Sequence, residues 1–351
     1  MSDIRDDLEK TIDRICEAHC LKDVFMASET GTWPQALWQA LDEVGLPQAC
    51  LPEDQGGSGL SFEDAMFVLR RSAYHAAPVP LAETFLAGRL LAAAHLPVPS
   101  GVLSVGGSQA QDSLTLNDAG THLSGHAHRV PWGASCDHLV LVAKRQGSEQ
   151  VVIIARSALA TATHTVVKNL AGEPRVQFEF SNTPITATAE LAGAKDRLLC
   201  DGALMRSVQM AGALQRALGY SLQYANERVQ FGRPIGKFQA VQHMLAVLAG
   251  HAAATAAAAD AAIEVSSETP DFFAVAVAKS RAGEAAGKGA EIAHQVHGAM
   301  GFTREHNLHH LTRRLWAWRD EFGNETHWQT RIGEMAIAQG ADQLWPFLTR
   351  L

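Results

Sequence analysis

Apolar residues recur at helical spacing through the first hundred positions. Between residues 6 and 20 they stand three or four positions apart, which places them on one face of a helix, as Leu8, Ile12, Ile15 and Cys16. A second helix is predicted from Trp33 to Val44, and Gly45 ends it. The N-terminal part of the chain is therefore expected to be helical.

A turn-rich loop over residues 51–60 separates these helices from a third. Ser61 is a good N-terminal cap, and Asp64 three residues later completes a capping-box pattern. The helix that follows is expected to turn Ala65, Val68 and Leu69 toward a core.

The middle of the chain changes to short, often alternating segments that glycines separate. Such segments predict β-strands, over residues 101–105, 113–116, 122–130, 138–143, 151–155 and 175–180. Strands that follow one another at this spacing favour a small antiparallel sandwich or barrel.

The last part is helical again. Four helices are predicted, over residues 201–228, 239–265, 270–297 and 325–340. Thr269 and Pro270 form a good N-cap and first-turn pair for the third of them. The fold class is therefore α+β: an N-terminal helical domain (1–100), a central small antiparallel β-domain (101–193) and a C-terminal four-helix bundle (194–351).

Composition narrows the classes of function. The 351 residues include 47% hydrophobic and 19% charged ones, and the formal net charge is −8. An acidic chain lacks the basic footprint of a nucleic-acid binder. The sequence shows no unbroken apolar run of membrane-spanning length, no apolar signal core near its start and an odd number of scattered cysteines. A soluble, reduced, cytoplasmic protein with no membrane contact is expected.

Two segments are more specific than the fold class. One runs Asn-Glu-Arg-Val-Gln-Phe-Gly-Arg-Pro-Ile-Gly-Lys-Phe-Gln over residues 226–239, and the other runs Gln-Val-His-Gly-Ala-Met-Gly-Phe-Thr-Arg-Glu over residues 295–305. In this order and at this separation they resemble the acyl-CoA dehydrogenase family, whose α–β–α layout matches the whole chain. The resemblance implies FAD as cofactor and an acyl-CoA thioester as substrate.

The motifs also imply which residues bind the flavin. Carried over position by position, they are Arg228, Phe231, Gln239, Gln295, Val296 and Gly298. An arginine presents a fork of donors to phosphate oxygens, and a glycine lets the backbone approach a ligand closely. In the family these groups reach a flavin that lies across a subunit interface, so the resemblance also implies an oligomer.

The ring pocket departs from the family pattern. No Thr-Glu-Pro stretch occurs around residues 95–112, and the nearest match to a second family stretch is residues 130–134. Trp132 in that stretch is a candidate for stacking on the flavin. A buried indole in the core of the β-domain is the alternative interpretation.

The catalytic base is missing from both positions where the family carries a glutamate. One position holds Phe322, and the other holds Gly202. Two nearby carboxylates, Glu321 and Asp320, are the candidate bases. Glu325 is a weaker candidate, and all three could equally be ion-paired or solvated surface groups.

The resemblance extends to bacterial acyl-CoA dehydrogenases of steroid side-chain degradation, which pair two unequal subunits. It implies a dehydrogenase subunit that forms a 2,3-enoyl-CoA with a related partner, in a hetero- or homotetramer, and an electron-transferring flavoprotein as acceptor. Two alternatives stay open: a catalytically silent subunit that completes a partner's site, and a flavin oxidase or monooxygenase. The C-terminal histidines are expected to pack rather than bind a metal, because no cysteine or carboxylate spacing supports a metal site.

Overall fold

The computed structural model describes residues 3–51 and 53–349, so Pro52 of the predicted loop lies outside the described residues. The helices are α1 (Asp3–His19), α2 (Lys22–Thr30), α3 (Gln35–Asp42), α4 (Phe62–Tyr74), α5 (Leu81–Ala93), α6 (Arg156–Leu159), α7 (Ala194–Glu227), α8 (Gln239–Glu264), α9 (Phe272–His297), α10 (Leu308–Asp320), α11 (Glu325–Gln339) and α12 (Leu344–Leu348).

The strands are β1 (Leu103–Gly106), β2 (Ser113–Leu116), β3 (His122–Pro131), β4 (His138–Arg145), β5 (Ser148–Ala155), β6 (Thr163–Lys168), β7 (Pro174–Pro184), β8 (Ala187–Glu190), β9 (Val229–Gln230) and β10 (Arg233–Pro234). The predicted order of helices, strands and helices is confirmed.

Several elements escaped the sequence analysis. The helices α2, α5 and α10 and the strands β6 and β8 were not predicted. Helix α5 is buried on nearly every side, so it carries no amphipathic period. Helix α9 begins later than expected, because its N-cap is Asp271, whose side chain accepts the Ala274 amide, and not Thr269. The Ser61 cap is confirmed, since its hydroxyl accepts the Asp64 amide at 3.1 Å.

The described residues form two compact units by their contacts. One unit comprises residues 23–65 and 78–202. Its sheet has the order β6-β7-β3-β2-β4-β5-β8, with β1 added on β4. Most neighbours are antiparallel, but both β1 and β2 pair with β4 in parallel. Five of the eight residues in each of the inner strands β4 and β5 are buried, and α5 packs on β1.

The other unit comprises the described residues of 1–22, 66–77 and 203–351. Helix α9 is central and packs on α8, α10 and α11. Its small residues allow close approach: a Cβ on Gly289 would lie 2.5 Å from the Leu214 side chain of α7 and 3.2 Å from Leu248 of α8. The predicted four helices are present here, and α10 joins them. The three-domain division of the sequence stays a prediction.

Helix α8 is apolar and long enough to cross a membrane by length and composition alone. It packs on α9, and its alanines supply much of its hydropathy. A single helix of this kind is weak evidence for a membrane protein, because core helices of soluble proteins have the same character.

Candidate functional site

The first motif forms a tight hairpin between α7 and α8. Its strands β9 and β10 pair antiparallel, and the two residues at the turn, Phe231 and Gly232, have φ of +51° and +79°. Two successive positive φ values are typical of a type I′ hairpin turn. The turn places the Phe231 side chain at 93% exposure. The ring is therefore available for contact with another molecule.

The second motif lies at the C-terminal end of α9. Helix α9 ends at His297, and Gly298 follows with φ +59° and ψ −142°. A Cβ built on Gly298 would meet no atom within 4 Å, so the backbone there faces open space. The Gln295 side chain is exposed one turn earlier. This end of the helix can therefore approach a ligand with its peptide groups and with a side-chain amide.

The two motifs lie beside each other, although more than fifty residues separate them in sequence. Val296 packs in one apolar cluster with Ala225 of α7 and Leu245 of α8. The Tyr224 and His297 rings stack with their centroids 4.8 Å apart. The structure thus brings the predicted flavin residues of both segments to one region of one unit.

We define the motif surface as Arg228, Phe231, Gln239, Gln295 and Gly298. The Arg228, Gln239 and Gln295 side chains are exposed and form no hydrogen bond or ion pair within the ranges 3–51 and 53–349. Val296 differs from these residues, because its side chain is 5% exposed and only its peptide group is left for a ligand. Available guanidinium and amide donors beside an open glycine backbone fit the pyrophosphate of a dinucleotide such as FAD.

Histidines beside the motif surface are neutral at pH 7. Burial, reinforced by His297 and His309, lowers the pKa of His306 to about 4. Burial likewise lowers the pKa of His294 and His297. His294 pairs through Nε2 with the Thr312 hydroxyl at 2.8 Å and stacks on Phe302. These rings pack against aromatic side chains and against one another.

The base position that holds Phe322 lies in a strained turn between α10 and α11. Phe322 has φ +53° and Gly323 has φ +87°. The Trp328 indole nitrogen donates to the Phe322 carbonyl at 2.9 Å. Lys279 Nζ donates to the carbonyls of Arg319 at 2.7 Å and Gly323 at 2.6 Å. We call residues 319–325 the base-position turn.

Lys279 is wholly buried, although it is a lysine. Burial lowers its pKa to about 7, against the attraction of Glu325, Glu321 and Asp320. Its two carbonyl partners lie at the C-terminal end of α10 and just after it, where a hydrogen-bond donor satisfies carbonyls left without helical partners. The amine therefore connects α9 to both ends of the turn.

The candidate base Glu321 is engaged by an arginine. Its Oε2 accepts from Arg206 Nε at 2.9 Å and Nη2 at 2.8 Å, and the Arg206 side chain is 2% exposed. Arg206 also donates to Gln209. A carboxylate oxygen that receives two guanidinium bonds is occupied by them, which disfavours its use as a proton acceptor.

The other carboxylates of the turn also differ from a desolvated base. Asp320 is exposed and forms no hydrogen bond or ion pair in the part of the chain that the structure describes. Water solvates it, whereas a general base of this kind works best when buried against its substrate. Glu325 is held by Arg319 in an ion pair at the start of α11.

The second base position belongs to the other unit and also lacks a glutamate. Gly202 has no side chain, and its neighbour Asp201 is buried. Asp201 Oδ1 accepts from Arg89 Nε at 3.2 Å and Nη2 at 3.0 Å, and its Oδ2 pairs with Arg197 at 3.5 Å. Asp201 is thus committed to two arginines.

Trp132 is also in that unit and is 4% exposed. Its ring meets the Trp33 ring edge-on, with centroids 6.0 Å apart. Its backbone φ is +55°, and its amide donates to the Pro174 carbonyl. This burial favours the core role over flavin stacking.

Sequence reasoning missed Arg206, Lys279 and Trp328. Signals for two of them exist in the sequence. Arg206 lies in a mostly apolar stretch of α7, residues 201–214, so a charge there requires a buried partner. Lys279 occurs among alanines and valines at the helical spacing of a core face. Neither signal names the partner, because that depends on which helices meet.

Comparisons with known proteins identify the family and the fold. Family models of the acyl-CoA dehydrogenase N-terminal and C-terminal domains match residues 2–98 and 194–337. The chain is 32% identical over 286 residues to acyl-CoA dehydrogenase IpdE2 of Mycobacterium tuberculosis, covering 81% of each chain. Its fold matches a chain of the ChsE4-ChsE5 complex from Mycobacterium tuberculosis, with a TM-score of 0.88, 23% identity and coverage of 97% and 99%. Its fold also matches the structure of a glutaryl-coenzyme A dehydrogenase in complex with glutaryl-CoA, with a TM-score of 0.87, 22% identity and coverage of 96% of each chain.

Proposed function

The chain belongs to the acyl-CoA dehydrogenase family, and we propose that it is a FAD-binding subunit that oxidises an acyl-CoA thioester to the 2,3-enoyl-CoA with a non-identical partner. The observation that carries the proposal is the contrast between an available motif surface and a base-position turn whose partly buried carboxylate is already paired.

The reaction requires two hydrogens to leave the substrate. The α-carbon gives a proton to a carboxylate, its C–H electron pair becomes the new double bond, and the β-hydrogen departs as hydride. FAD, when bound, supplies the acceptor for that hydride. Arg228 and the amides of Gln239 and Gln295 would bind the pyrophosphate and orient the cofactor, while Gly298 admits its close approach.

This chain has no glutamate at either family position of the proton acceptor, and the carboxylates nearest to those positions are paired or exposed. Phe322 and Gly202 fill the two family positions, Arg206 engages Glu321, and Arg89 and Arg197 engage Asp201. We therefore assign the base to a related partner subunit, with Glu321 and Asp320 as the candidates within this chain. The ChsE4-ChsE5 structure is of a complex with two named components, which makes a heteromeric assembly plausible for this fold.

The flavin that has taken up the hydride is reduced, and an electron acceptor must oxidise it again. An electron-transferring flavoprotein is the usual acceptor for this family. A bulky, steroid-derived acyl group is the proposed substrate class. A cytoplasmic location and a tetrameric assembly complete the proposal.

Co-expression with a candidate partner subunit of the same family tests the proposal. We expect the complex to be yellow and an acyl-CoA to bleach its flavin anaerobically. A glutamine replacement of the partner's base should abolish bleaching, whereas Glu321→Gln and Asp320→Asn should retain it. Full bleaching by this chain alone, lost in Glu321→Gln, would move the base into this chain.

The exposed Phe231 and the paired carboxylates also suit a catalytically silent subunit that completes a partner's site. Both functions predict that Arg228→Ala releases flavin, because a subunit that completes a partner's flavin site uses the same side chain. The chain purified without its partner separates them: a silent subunit is then colourless, whereas the dehydrogenase proposal predicts that the chain alone retains flavin.

A further inference from the structure

Three buried side chains hold the base-position turn from three different helices. The side chains of Trp328 of α11, Lys279 of α9 and Arg206 of α7 are buried, and none is more than 2% exposed. They bind the Phe322 carbonyl, the Arg319 and Gly323 carbonyls, and the Glu321 carboxylate respectively. Every residue from Glu321 to Gly323 thus receives a bond from a buried donor.

The conformation held in this way is an unfavourable one. Phe322 is a non-glycine residue with φ +53°, and a Cβ on Gly323 would lie 2.6 Å from the Trp328 indole nitrogen. A bulky side chain in the left-handed region costs free energy and persists only where its surroundings determine it. Such positions concentrate where a side chain must be presented in one orientation.

Lys279 is the donor whose presence packing cannot explain. A methionine would fill the same volume on α9 without the cost of burying an amine. What the lysine adds is a pair of short bonds to carbonyls on both sides of the turn, at 2.7 and 2.6 Å. Its contacts are with the backbone, so it fixes the path of the chain.

We propose that Lys279 is a positioning residue that holds residues 320–323 so that the Phe322 side chain forms a fixed wall of the acyl-CoA site. The inference rests on the proposed function for the identity of that site. In this proposal Lys279 neither contacts the substrate nor transfers a proton. It affects the reaction indirectly, because it fixes the backbone that positions Phe322.

Amide hydrogen exchange of the co-expressed complex tests the holding role without any turnover. We expect Lys279→Met to raise at least tenfold the exchange rate of the hydrogen-bonded amides on both sides of the turn, those of residues 318–320 in the last turn of α10 and of His327 and Trp328 at the start of α11. The control is Ile263→Ala, which removes a buried side chain near the end of α8 that forms none of the hydrogen bonds to the turn, and which should lower the melting temperature. Unchanged exchange in Lys279→Met, or an equal rise in Ile263→Ala, overturns the proposal.

Steady-state kinetics tests the consequence for the site. We expect Lys279→Met to retain its flavin and to lose kcat/KM for the acyl-CoA by tenfold or more, while Ile263→Ala stays within twofold of the wild type. If Lys279→Met does not fold, Lys279→Gln keeps a shorter donor and should give a smaller loss of the same kind. If Lys279→Met and the control have equal kcat/KM, the proposal that Lys279 positions Phe322 as a wall of the acyl-CoA site is wrong.

The two proposals fail in different ways. A wild-type complex whose flavin no acyl-CoA bleaches contradicts the dehydrogenase function and, with it, the wall of an acyl-CoA site. The exchange measurement then still decides whether Lys279 holds the turn.

Discussion

The motif surface and the base-position turn belong to the same unit but differ in how their polar groups are satisfied. At the motif surface, Arg228 and Gln295 are exposed and unpaired among the described residues. At the turn, Arg206 and Lys279 are buried and bind Glu321 and the backbone. Unpaired donors on a surface are available to bind a ligand, whereas paired donors in a core stabilise the folded chain. The comparison separates a binding role from a positioning role.

The largest expected effect comes from the arginine at the turn. Arg206→Met leaves the Glu321 carboxylate, 14% exposed, without its guanidinium partner, and should cost about 3–5 kcal/mol of unfolding free energy. Urea denaturation measures it. The double variant Arg206→Met/Glu321→Met should recover most of the loss, because no buried charge is then left alone. A loss near zero in the single variant would show that this pair is not buried in solution.

The histidines beside the motif surface predict a loss of stability in acid. The unfolded chain binds a proton at each histidine near pH 6.5, whereas His306 in the folded protein resists protonation until about pH 4. The contribution of His306 to stability is therefore full above pH 6.5 and falls as the pH drops from 6.5 toward 4. At about 1.4 kcal/mol for each pH unit, the loss is at most about 3 kcal/mol, and less because solvent screens a half-buried ring.

Thermal unfolding between pH 7 and pH 4 measures that loss. His306→Gln keeps an acceptor for the Leu308 amide, which bonds His306 Nδ1 at 3.0 Å, but removes the titration. It should flatten the pH dependence, while His243→Gln, at an exposed position on α8, should leave it unchanged. Equal slopes in the two variants would contradict the assignment.

At the motif surface, removing an arginine should weaken cofactor binding and leave the stability of the fold almost unchanged. Arg228→Ala should weaken FAD binding by about ten- to a hundredfold, the worth of a charge-assisted hydrogen bond. It should change the unfolding free energy of the apo chain by less than about 0.5 kcal/mol. Flavin absorbance after dialysis measures the first, and Lys288→Ala, exposed on α9, is the control. Full flavin retention in Arg228→Ala would remove this residue from the site.

The smallest effect is expected at the cap that follows the turn. The Asn324 side chain accepts the His327 amide at 3.1 Å and caps α11. Asn324→Ala should cost about 1 kcal/mol, whereas Asn324→Ser should cost less because serine keeps an acceptor. A thermal melt of both variants separates the cap from the donors that hold the turn. An equal loss in both would show that the cap bond contributes nothing.

Much of the fold followed from local patterns. The periodicity of residues 239–265 predicted α8 nearly to its ends, and Ser61 marked the start of α4. Helix α5 was missed because it is buried almost all round, and α10 because its buried arginine and histidines broke the apolar pattern. Strand β6 was missed since its side chains are all exposed, which leaves no alternation to read.

The sequence by itself determined the family, the order of helices and strands, and the residue types of the two motifs, because these depend on local spacing along the chain. Only the tertiary structure decided that Val296 packs on Ala225 and Leu245 and so places the motifs side by side. It alone decided that Arg206 pairs with Glu321 and that Lys279 binds the turn. A buried charge must find a partner, and which partner it finds depends on how distant helices pack.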